Sequence, residues 1–243
     1  VMVGIEYSKR NSTYWRDHPA FRDVLESEAE SAPGPVQHGM TYMTAPCIEA
    51  CPSRINVPRY IDYVRDGKPG HALGVILQKY PMAATCGRVC VRFCEMACRR
   101  NLVDEAVGIK TLKRFVADQQ KGPAALQFGR EMVQEPLPPE MRVAVVGAGP
   151  AGVSCAYHLL LHGYHVDVLE AMEVAGGMAA IGIPSYRLPK DVLRSETGIL
   201  TSLGARMRYG EELGRDYTVD DLFARGYRAV FLALGCQQGS RLG

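Results

Sequence analysis

The spacing of apolar residues divides the chain into a helical part and a part in which strands and helices alternate. Over residues 41–120, apolar positions recur every three or four residues, which is typical of helices that bury one face. Pro58 suits the first turn of a helix, because its φ is already fixed there and its missing N–H is not needed. The pattern predicts helices that begin at Pro58, extend over 71–79 and extend over 104–120.

The second part has a different pattern. Residues 142–146 form a short apolar run of the kind found in buried parallel strands, and residues 165–170 alternate between apolar and polar. With a helix over 151–162 between them, they predict a βαβ unit. A further helix is predicted over 191–203 and a further strand over 229–233.

These elements predict a fold class of α plus α/β. We expect an irregular N-terminal segment at 1–40 and an α-helical domain at 41–120. A linker rich in proline and glycine at 121–141 then leads to a Rossmann-type half-domain with a parallel sheet at 142–243. The sequence starts without Met and stops at Gly243, so we expect it to be a piece of a longer chain.

Composition and charge exclude several classes of protein. Hydrophobic residues make up 47% and charged residues 22%, and the formal net charge is +2, which favours neither a nucleic acid nor an anionic membrane as partner. No run of ~18 apolar residues is present to span a bilayer, and the N-terminus lacks the regions of a signal peptide. We therefore expect a cytoplasmic protein without nucleic-acid or membrane partners.

The turn after the first predicted strand fits the dinucleotide-binding pattern G-x-G-x-x-G. Gly147 would allow the tight turn, Gly149 the approach of a pyrophosphate, and Gly152 the packing of helix on strand. Glu170, at the end of the second strand, would bind ribose hydroxyls and repel a 2′-phosphate, which predicts FAD or NAD. The candidate contacts of this turn are Gly147, Gly149, Pro150, Ala151, Gly152 and Glu170.

Later glycines favour FAD between these two nucleotides. A glycine pair follows the second strand, residues 182–190 form a loop rich in proline, and the strand over 229–233 ends in a small-residue turn. Taken singly, these features are also compatible with ordinary loops. The further candidate contacts with FAD are Gly176, Gly177, Met178, Arg187 and Gly235.

Clustered cysteines point to a metal centre in the helical part. Six of the eight cysteines lie between Cys47 and Cys98, and in a reducing compartment such clusters are more often metal ligands than disulfides. The paired C-x2-C spacing of zinc sites is absent, and soft thiolates in a run with Cys-Pro suit a [4Fe–4S] cluster. The cysteines from 86 to 98 are four residues apart, so we expect a loop or broken helix there.

One four-cysteine cluster leaves two of these six cysteines over. We predict Cys51, Cys90, Cys94 and Cys98 as the ligands, with Cys47 and Cys86 as less certain candidates. Cys155 and Cys236 are interpreted as small core residues. Four arginines near the cluster would raise its reduction potential or dock an acidic partner, or simply form a solvated surface: Arg88, Arg92, Arg99 and Arg100.

Together these motifs resemble a known family. The chain is similar to the small (β) subunit of bacterial glutamate synthase, to the N-terminal half of dihydropyrimidine dehydrogenase and to the large subunit of ferredoxin-dependent transhydrogenases. The resemblance covers about residues 45–240. Its pieces are Cys51-Pro52, Cys86-Gly87-Arg88-Val89-Cys90, Cys94-Glu95-x-x-Cys98, Ile109-Lys110-x-Leu112-Lys113-Arg114-Phe115, the glycine turn from Val145 to Gly152, Gly176-Gly177, the loop from Gly182 to Lys190, and Ala233-Leu234-Gly235.

The resemblance implies an NAD(P)H-dependent oxidoreductase that contains FAD and iron–sulfur clusters. In such proteins hydride passes from NAD(P)H to the flavin. Single electrons then move through clusters between the flavin and a partner protein subunit, which accepts or donates them. By position, Cys51, Cys90, Cys94 and Cys98 match the ligands of one cluster, and Cys47 matches a ligand of a second. Family members carry another C-x2-C before Cys47; this sequence does not, so we expect the second cluster to be missing.

The chain would therefore be an electron-transfer piece of its parent. No second G-x-G-x-x-G follows, so we expect the NAD(P)H domain to lie outside this sequence and the piece alone to be inactive. Two alternatives remain open. One is a docking adapter with zinc or no metal at the cysteines, and the other is an NAD-binding dehydrogenase without flavin.

Overall fold

A computed structural model describes residues 44–119 and 131–236. Every described residue belongs to one compact unit. The irregular segment expected at 1–40 lies outside the described residues. The limits of the four segments predicted from the sequence stay predictions. We call residues 44–119 the helical half and residues 131–236 the sheet half.

Short helices follow one another through the helical half. They are α1 (Pro46–Glu49), α2 (Val57–Arg65), α3 (Pro69–Leu77), α4 (Ala83–Val89), α5 (Phe93–Met96), a 3₁₀ turn (Arg99–Leu102) and α6 (Ile109–Gln119). The predictions for α2 and α3 are confirmed to within two residues. Asn56 starts α2 by accepting the N–H of Arg59 at 3.2 Å, with Pro58 in the first turn.

The predicted start of the third helix at residue 104 is wrong, because α6 begins only at Ile109. The N–H of Lys110 donates to Glu95 Oε1 at 2.8 Å, and the Tyr60 hydroxyl donates to the Ile109 carbonyl at 2.8 Å. Both partners come from other helices, so the local spacing of apolar residues held no sign of them. The buried Tyr60 also forms part of the core between α2 and α6.

The sheet half contains a parallel sheet with helices along it. Its elements are β1 (Arg142–Val146), α7 (Pro150–Leu161), β2 (His165–Glu170), α8 (Met178–Ile181), α9 (Lys190–Thr197), α10 (Ile199–Ser202), β3 (Arg206–Tyr209), α11 (Val219–Ala224) and β4 (Ala229–Leu232). The strand order is β3-β2-β1-β4 and all pairs are parallel, with Val145 opposite both Val168 and Phe231. This confirms the predicted fold class.

Some elements of the sheet half were not predicted. The helix expected over 191–203 is two helices, α9 and α10, which meet at Gly198. β3 and α11 were missed. β3 is a four-residue edge strand whose outer residues Arg206 and Tyr209 are exposed, so it lacks a buried apolar pattern. Within the described part of the chain, no helix is long and apolar enough to cross a lipid bilayer.

Asp167 of β2 ties the strands together at their amino ends. Its buried carboxylate accepts hydrogen bonds from Arg142 at 3.1 Å, from Arg206 at 2.8 and 3.0 Å, and from the Tyr227 hydroxyl. Burial alone would raise the pKa of Asp167, but these hydrogen bonds outweigh it and lower the pKa. The opposite, carboxyl ends of the strands are the ends that lead to the glycine turn.

A carboxylate of the sheet half holds a helix of the helical half. Glu196 on α9 accepts the N–H of Ala84 at 2.5 Å, the N–H of Thr85 at 2.9 Å and the Thr85 hydroxyl at 2.6 Å. These N–H groups belong to the first turn of α4, where Met82 at the N-cap position provides no side-chain cap. Glu196 therefore caps α4 from a position 112 residues away in sequence.

The ionisation of Glu196 makes this contact sensitive to pH. Burial raises the pKa of Glu196 to about 7 from an ordinary 4.5, although the hydrogen bonds from Thr85 and Ala84 and the charge of Arg88 act in the opposite direction. The folded protein therefore keeps the proton to a higher pH than the unfolded chain does. This contribution to the free energy of unfolding is largest in acid and is lost as the pH rises from 4.5 to about 7.

We expect Glu196→Gln to remove this part of the pH dependence, because the amide does not titrate. Urea unfolding at a series of pH values from about 4.5 to about 8 measures it as the difference between variant and wild type. Glu140→Gln, at an exposed carboxylate in the turn before β1, should keep the wild-type pH dependence. Parallel curves for wild type and Glu196→Gln would contradict the assignment.

Candidate functional site

The turn between β1 and α7 brings the predicted glycines together, and two of them are needed by the fold itself. Gly147 has φ +103°, and a Cβ added there would meet the Ala233 carbonyl oxygen at 2.3 Å. A Cβ on Gly152 would lie 1.8 Å from the Gly147 carbonyl oxygen. These glycines let β4 and α7 approach the turn, as the G-x-G-x-x-G pattern requires.

Gly149 differs from its two neighbours. Its φ of −72° is available to any residue, and a Cβ added there would come no closer than 3.8 Å to another atom, the Cα of Gly177. Packing within the protein therefore does not demand a glycine at this position. Gly149 precedes Pro150, the first residue of α7, whose N-terminal N–H groups have no side-chain cap. A backbone without a side chain, next to N–H groups that no side chain caps, lets a diphosphate come close and accept hydrogen bonds.

Glu170 forms a hydrogen bond with the backbone of the same turn. It ends β2, it is 7% exposed, and its Oε2 accepts the N–H of Ala148 at 2.7 Å. Oε1 accepts the N–H of Met172 at 2.9 Å. Each oxygen keeps a second lone pair that can accept a hydrogen bond from a ribose hydroxyl.

The second glycine pair lies against the first turn. The N–H of Gly176 donates to the Ala148 carbonyl at 2.7 Å, and a Cβ on Gly177 would meet the Gly149 Cα at 2.9 Å. Met178 opens α8 and is 52% exposed. These contacts place the glycine pair and Met178 beside the turn that carries Gly149.

The remaining two candidates lie further along the chain. Gly235, at φ +68°, follows β4 two residues after Ala233, whose N–H donates to the Val146 carbonyl at 2.8 Å beside the turn. Arg187 is exposed, and its charge acts on Lys110 of the helical half, where burial, Arg187 and Arg92 together lower the pKa of Lys110. A role of Arg187 toward the nucleotide stays a prediction.

In the helical half, the cysteines of interest lie on or just after three short helices, α1, α4 and α5. Cys47 lies on α1 and Cys51 just after it, Cys86 lies on α4, and Cys94 lies on α5. Cys90 and Cys98 directly follow α4 and α5. All are free thiols.

The predicted break of the cysteine helix is confirmed. Between Cys90 and Cys94 the chain turns at Arg92, which has a left-handed φ of +67°. The N–H of Arg92 lies 3.4 Å from Cys90 Sγ, within reach of a weak hydrogen bond to sulfur. The bend turns Cys94 away from the axis of α4, so the cysteines need not follow one helical face.

Electrostatic interactions show which thiols are neighbours. The pKa of Cys94 is raised to about 11, chiefly by burial; Lys113 opposes the rise, and the charges of Cys90 and Cys51 contribute to it. Burial also raises the pKa of Cys47, where Cys98 and Cys51 add to the effect. Cys94 thus lies near Cys90 and Cys51, and Cys47 lies near Cys98 and Cys51.

The described residues contain no group of three Cys, His, Asp or Glu side chains close enough to hold one metal ion. A zinc site would need its thiolates about 2.3 Å from a single ion, which forces the sulfurs close together. A [4Fe–4S] cube takes one thiolate at each of four irons and so holds the sulfurs further apart. Free thiols on both sides of a bend fit the donor set of such a cluster.

Lys113 on α6 is a charged residue of this region that sequence reasoning missed. It is 5% exposed, and its Nζ lies 3.3 Å from Cys86 Sγ. Arg88, which the sequence analysis named, instead donates to Asp118 at 2.7 Å. The helical spacing of α6 gave a weak signal that Lys113 is buried, since position 113 falls on the same helix face as the buried residues Ile109 and Val116.

Comparison with protein families identifies both halves. Residues 26–124 match the family described as dihydropyrimidine dehydrogenase domain II, 4Fe-4S cluster. Residues 145–209 match the family described as NAD(P)-binding Rossmann-like domain. The first match contains every predicted cysteine ligand, and the second contains the glycine turn and Glu170.

Individual relatives point the same way. The β subunit of NADP(+)-dependent formate dehydrogenase from Moorella thermoacetica is 42% identical over 226 residues, which cover 84% of this chain and 32% of that protein. The dihydropyrimidine dehydrogenase subunit PreT from Escherichia coli O157:H7 is 34% identical over 202 residues, 82% of this chain and 47% of that protein. The small chain of NADPH glutamate synthase from Escherichia coli K12 is 32% identical over 200 residues, 81% of this chain and 41% of that protein.

The chain thus spans less than half the length of each of these relatives. Among solved structures, a 2.1 Å structure of histamine dehydrogenase from Rhizobium sp. 4-9 is 16% identical, with a TM-score of 0.35, over 87% of this chain and 26% of that one. A similarity of that size says nothing further about this chain. The two family matches and the curated relatives confirm the resemblance stated from the sequence: the chain is similar to oxidoreductase subunits such as the glutamate synthase small chain and PreT, and it contains a match to a 4Fe-4S domain followed by a match to a Rossmann-like domain.

Proposed function

We propose that this chain transfers electrons between FAD and a partner protein subunit within an NAD(P)H-linked flavin and iron–sulfur oxidoreductase. One observation carries the proposal: a single compact unit contains the bent cysteine segment and a glycine turn whose Gly149 is left open. Because several relatives are named as subunits of larger oxidoreductases, a partner subunit is part of the proposal. NAD(P)H would bind in another part of the parent protein.

The sheet half would hold FAD. The N–H groups at the start of α7 would bind the diphosphate beside Gly149, and Glu170 would accept hydrogen bonds from the ribose. The full set of proposed contacts is Gly147, Gly149, Pro150, Ala151, Gly152, Glu170, Gly176, Gly177, Met178, Arg187 and Gly235. FAD is proposed from the glycine turn and Glu170, whereas the matched Rossmann family is described as NAD(P)-binding.

The helical half would hold a [4Fe–4S] cluster, with Cys51, Cys90, Cys94 and Cys98 as proposed ligands and Cys47 and Cys86 as less certain ones. When bound, the flavin accepts a hydride and the cluster carries single electrons. The chain's own residues provide thiolates, hydrogen bonds to sulfur such as that from the Arg92 N–H, and a fixed position relative to the sheet half through Glu196. Free thiols also fit a reducing compartment, so we propose the cytoplasm.

Gly149→Ala tests the nucleotide site. The alanine methyl group would enter space that the protein leaves open, so we expect normal folding but a loss of FAD affinity on the order of tenfold or more. Flavin content and FAD titration of the full-length parent protein measure this, and the melting temperature of the flavin-free form should equal that of wild type.

Gly152→Ala is the matched control. The same methyl group would there meet a backbone oxygen at 1.8 Å, so this variant should lose folded protein rather than affinity alone. Full FAD binding by Gly149→Ala would refute the proposed contact. If wild type instead yields no flavin and binds NAD, the alternative of a dehydrogenase without flavin holds.

Cys94→Ala tests the cluster. Cys94 is buried beside Cys90 and Cys51, so we expect the variant to lose about four irons per chain while it keeps its flavin. Iron, sulfide and flavin assays on the anaerobically purified parent protein provide the measurement. Cys155→Ala, on α7 of the sheet half, should keep the wild-type iron content.

Two results of the same assays would count against the ligand assignment or the function. Unchanged iron in Cys94→Ala would remove this cysteine from the ligand set. Zinc in place of iron in the wild-type protein would support the docking adapter, since Zn²⁺ is redox-inactive.

A further inference from the structure

Lys113 is a buried cation that needs a negative partner. Its side chain is on α6, the residue is 5% exposed, and its ammonium lies 3.3 Å from Cys86 Sγ. Lysine is rarely buried unless it is paired, because removing an ammonium from water without compensation is costly. The question is therefore which anion compensates Lys113.

Two carboxylates that contact or lie on α6 are engaged elsewhere. Asp118 binds Arg88 at 2.7 Å and Arg114 at 3.4 Å. Glu95 accepts the N–H of Lys110 at 2.8 Å and lies 3.6 Å from Arg92. Among residues 44–119 and 131–236, no carboxylate forms an ion pair with Lys113, and Cys86 is its hydrogen-bond partner.

The sulfur groups around Lys113 are the remaining candidates for a negative partner, because a cysteine that binds a metal does so as a thiolate. Its charge acts on Cys86 before the bend of the cysteine segment and on Cys94 after it. Cys94 in turn interacts with Cys90 and Cys51. The ammonium thus lies beside Cys86, a less certain candidate ligand, and its charge also reaches Cys94, which is a ligand in the proposed function.

We propose that Lys113 is the buried counter-charge of the iron–sulfur cluster and holds its reduction potential up. The inference rests on the proposed function, since it needs a cluster at these cysteines. Thiolate ligands make such a cluster anionic, and each electron it accepts adds one negative charge. A fixed cation nearby stabilises the reduced form more than the oxidised form, which makes the potential less negative.

The position of Lys113 makes it more effective than Arg92 and Arg100, two of the arginines named from the sequence. Arg92 and Arg100 are 59% and 58% exposed in their side chains and pair with Glu95 and Asp104, so water and carboxylates screen them. Lys113 acts through a medium of lower dielectric constant. Lys113 is thus a positioning residue that acts through the cluster.

The test is a redox titration of the cluster, followed by electron paramagnetic resonance, in the anaerobically purified full-length parent protein. We expect Lys113→Met to shift the midpoint potential to a more negative value, and Lys113→Arg, which keeps the charge, to stay close to wild type. Arg114→Met removes the same charge one position along α6 from a side chain that is 56% exposed, and it should leave the potential unchanged.

Each outcome decides the inference. If Lys113→Met loses its iron while Lys113→Arg keeps it, the counter-charge is required for cluster retention and the inference holds. An unchanged potential in an iron-replete Lys113→Met, an equal shift in Arg114→Met, or loss of iron from both Lys113 variants would overturn it. Absence of iron from the wild-type protein would instead show that the proposed function itself fails.

Discussion

The position of the cysteine segment beside the sheet half depends on the contact of the buried Glu196 carboxylate with the first turn of α4. A short helix without a cap of its own is marginal, because its first N–H groups have no partners and its hydrogen bonds are few. Glu196 satisfies two of those groups from the sheet half. The helix that leads to Cys90 is therefore fixed to the half that carries the glycine turn, which any electron transfer between the two sites requires.

The two proposed cofactor sites are built from different chemical resources. In the sheet half the fold needs glycine at Gly147 and Gly152 for its own packing, while Gly149 leaves a bare surface for a ligand. In the helical half the resource is charge: the Cys86 thiol before the bend lies 3.3 Å from the buried ammonium of Lys113, whose charge also acts on Cys94 after the bend. The sheet half thus offers shape and free N–H groups to a diphosphate, and the helical half offers sulfur and a compensating cation to a metal cluster.

The sequence predicted those features that depend on neighbouring residues along the chain, and it did not predict those that depend on distant residues. Proline at the start of α2, the apolar runs of β1 and β2, and the glycine turn between them all have short-range signals, and the structure confirms these elements. The late start of α6 depends on Glu95 and Tyr60, and the position of α4 depends on Glu196, so spacing along the chain held no trace of them. Lys113 was overlooked because a lysine within a helix is usually solvated, and only packing shows that it is buried.

The central claim is that thiolates of one half bind an iron–sulfur cluster while the other half binds a flavin. It is tested most directly by the visible spectrum together with the metal, acid-labile sulfide and flavin content of the anaerobically purified full-length protein. The account predicts a brown-yellow protein with extractable flavin and with iron and sulfide in equal amounts, at about four or more of each per chain. A colourless preparation without iron, or one with zinc at the cysteines, would contradict it.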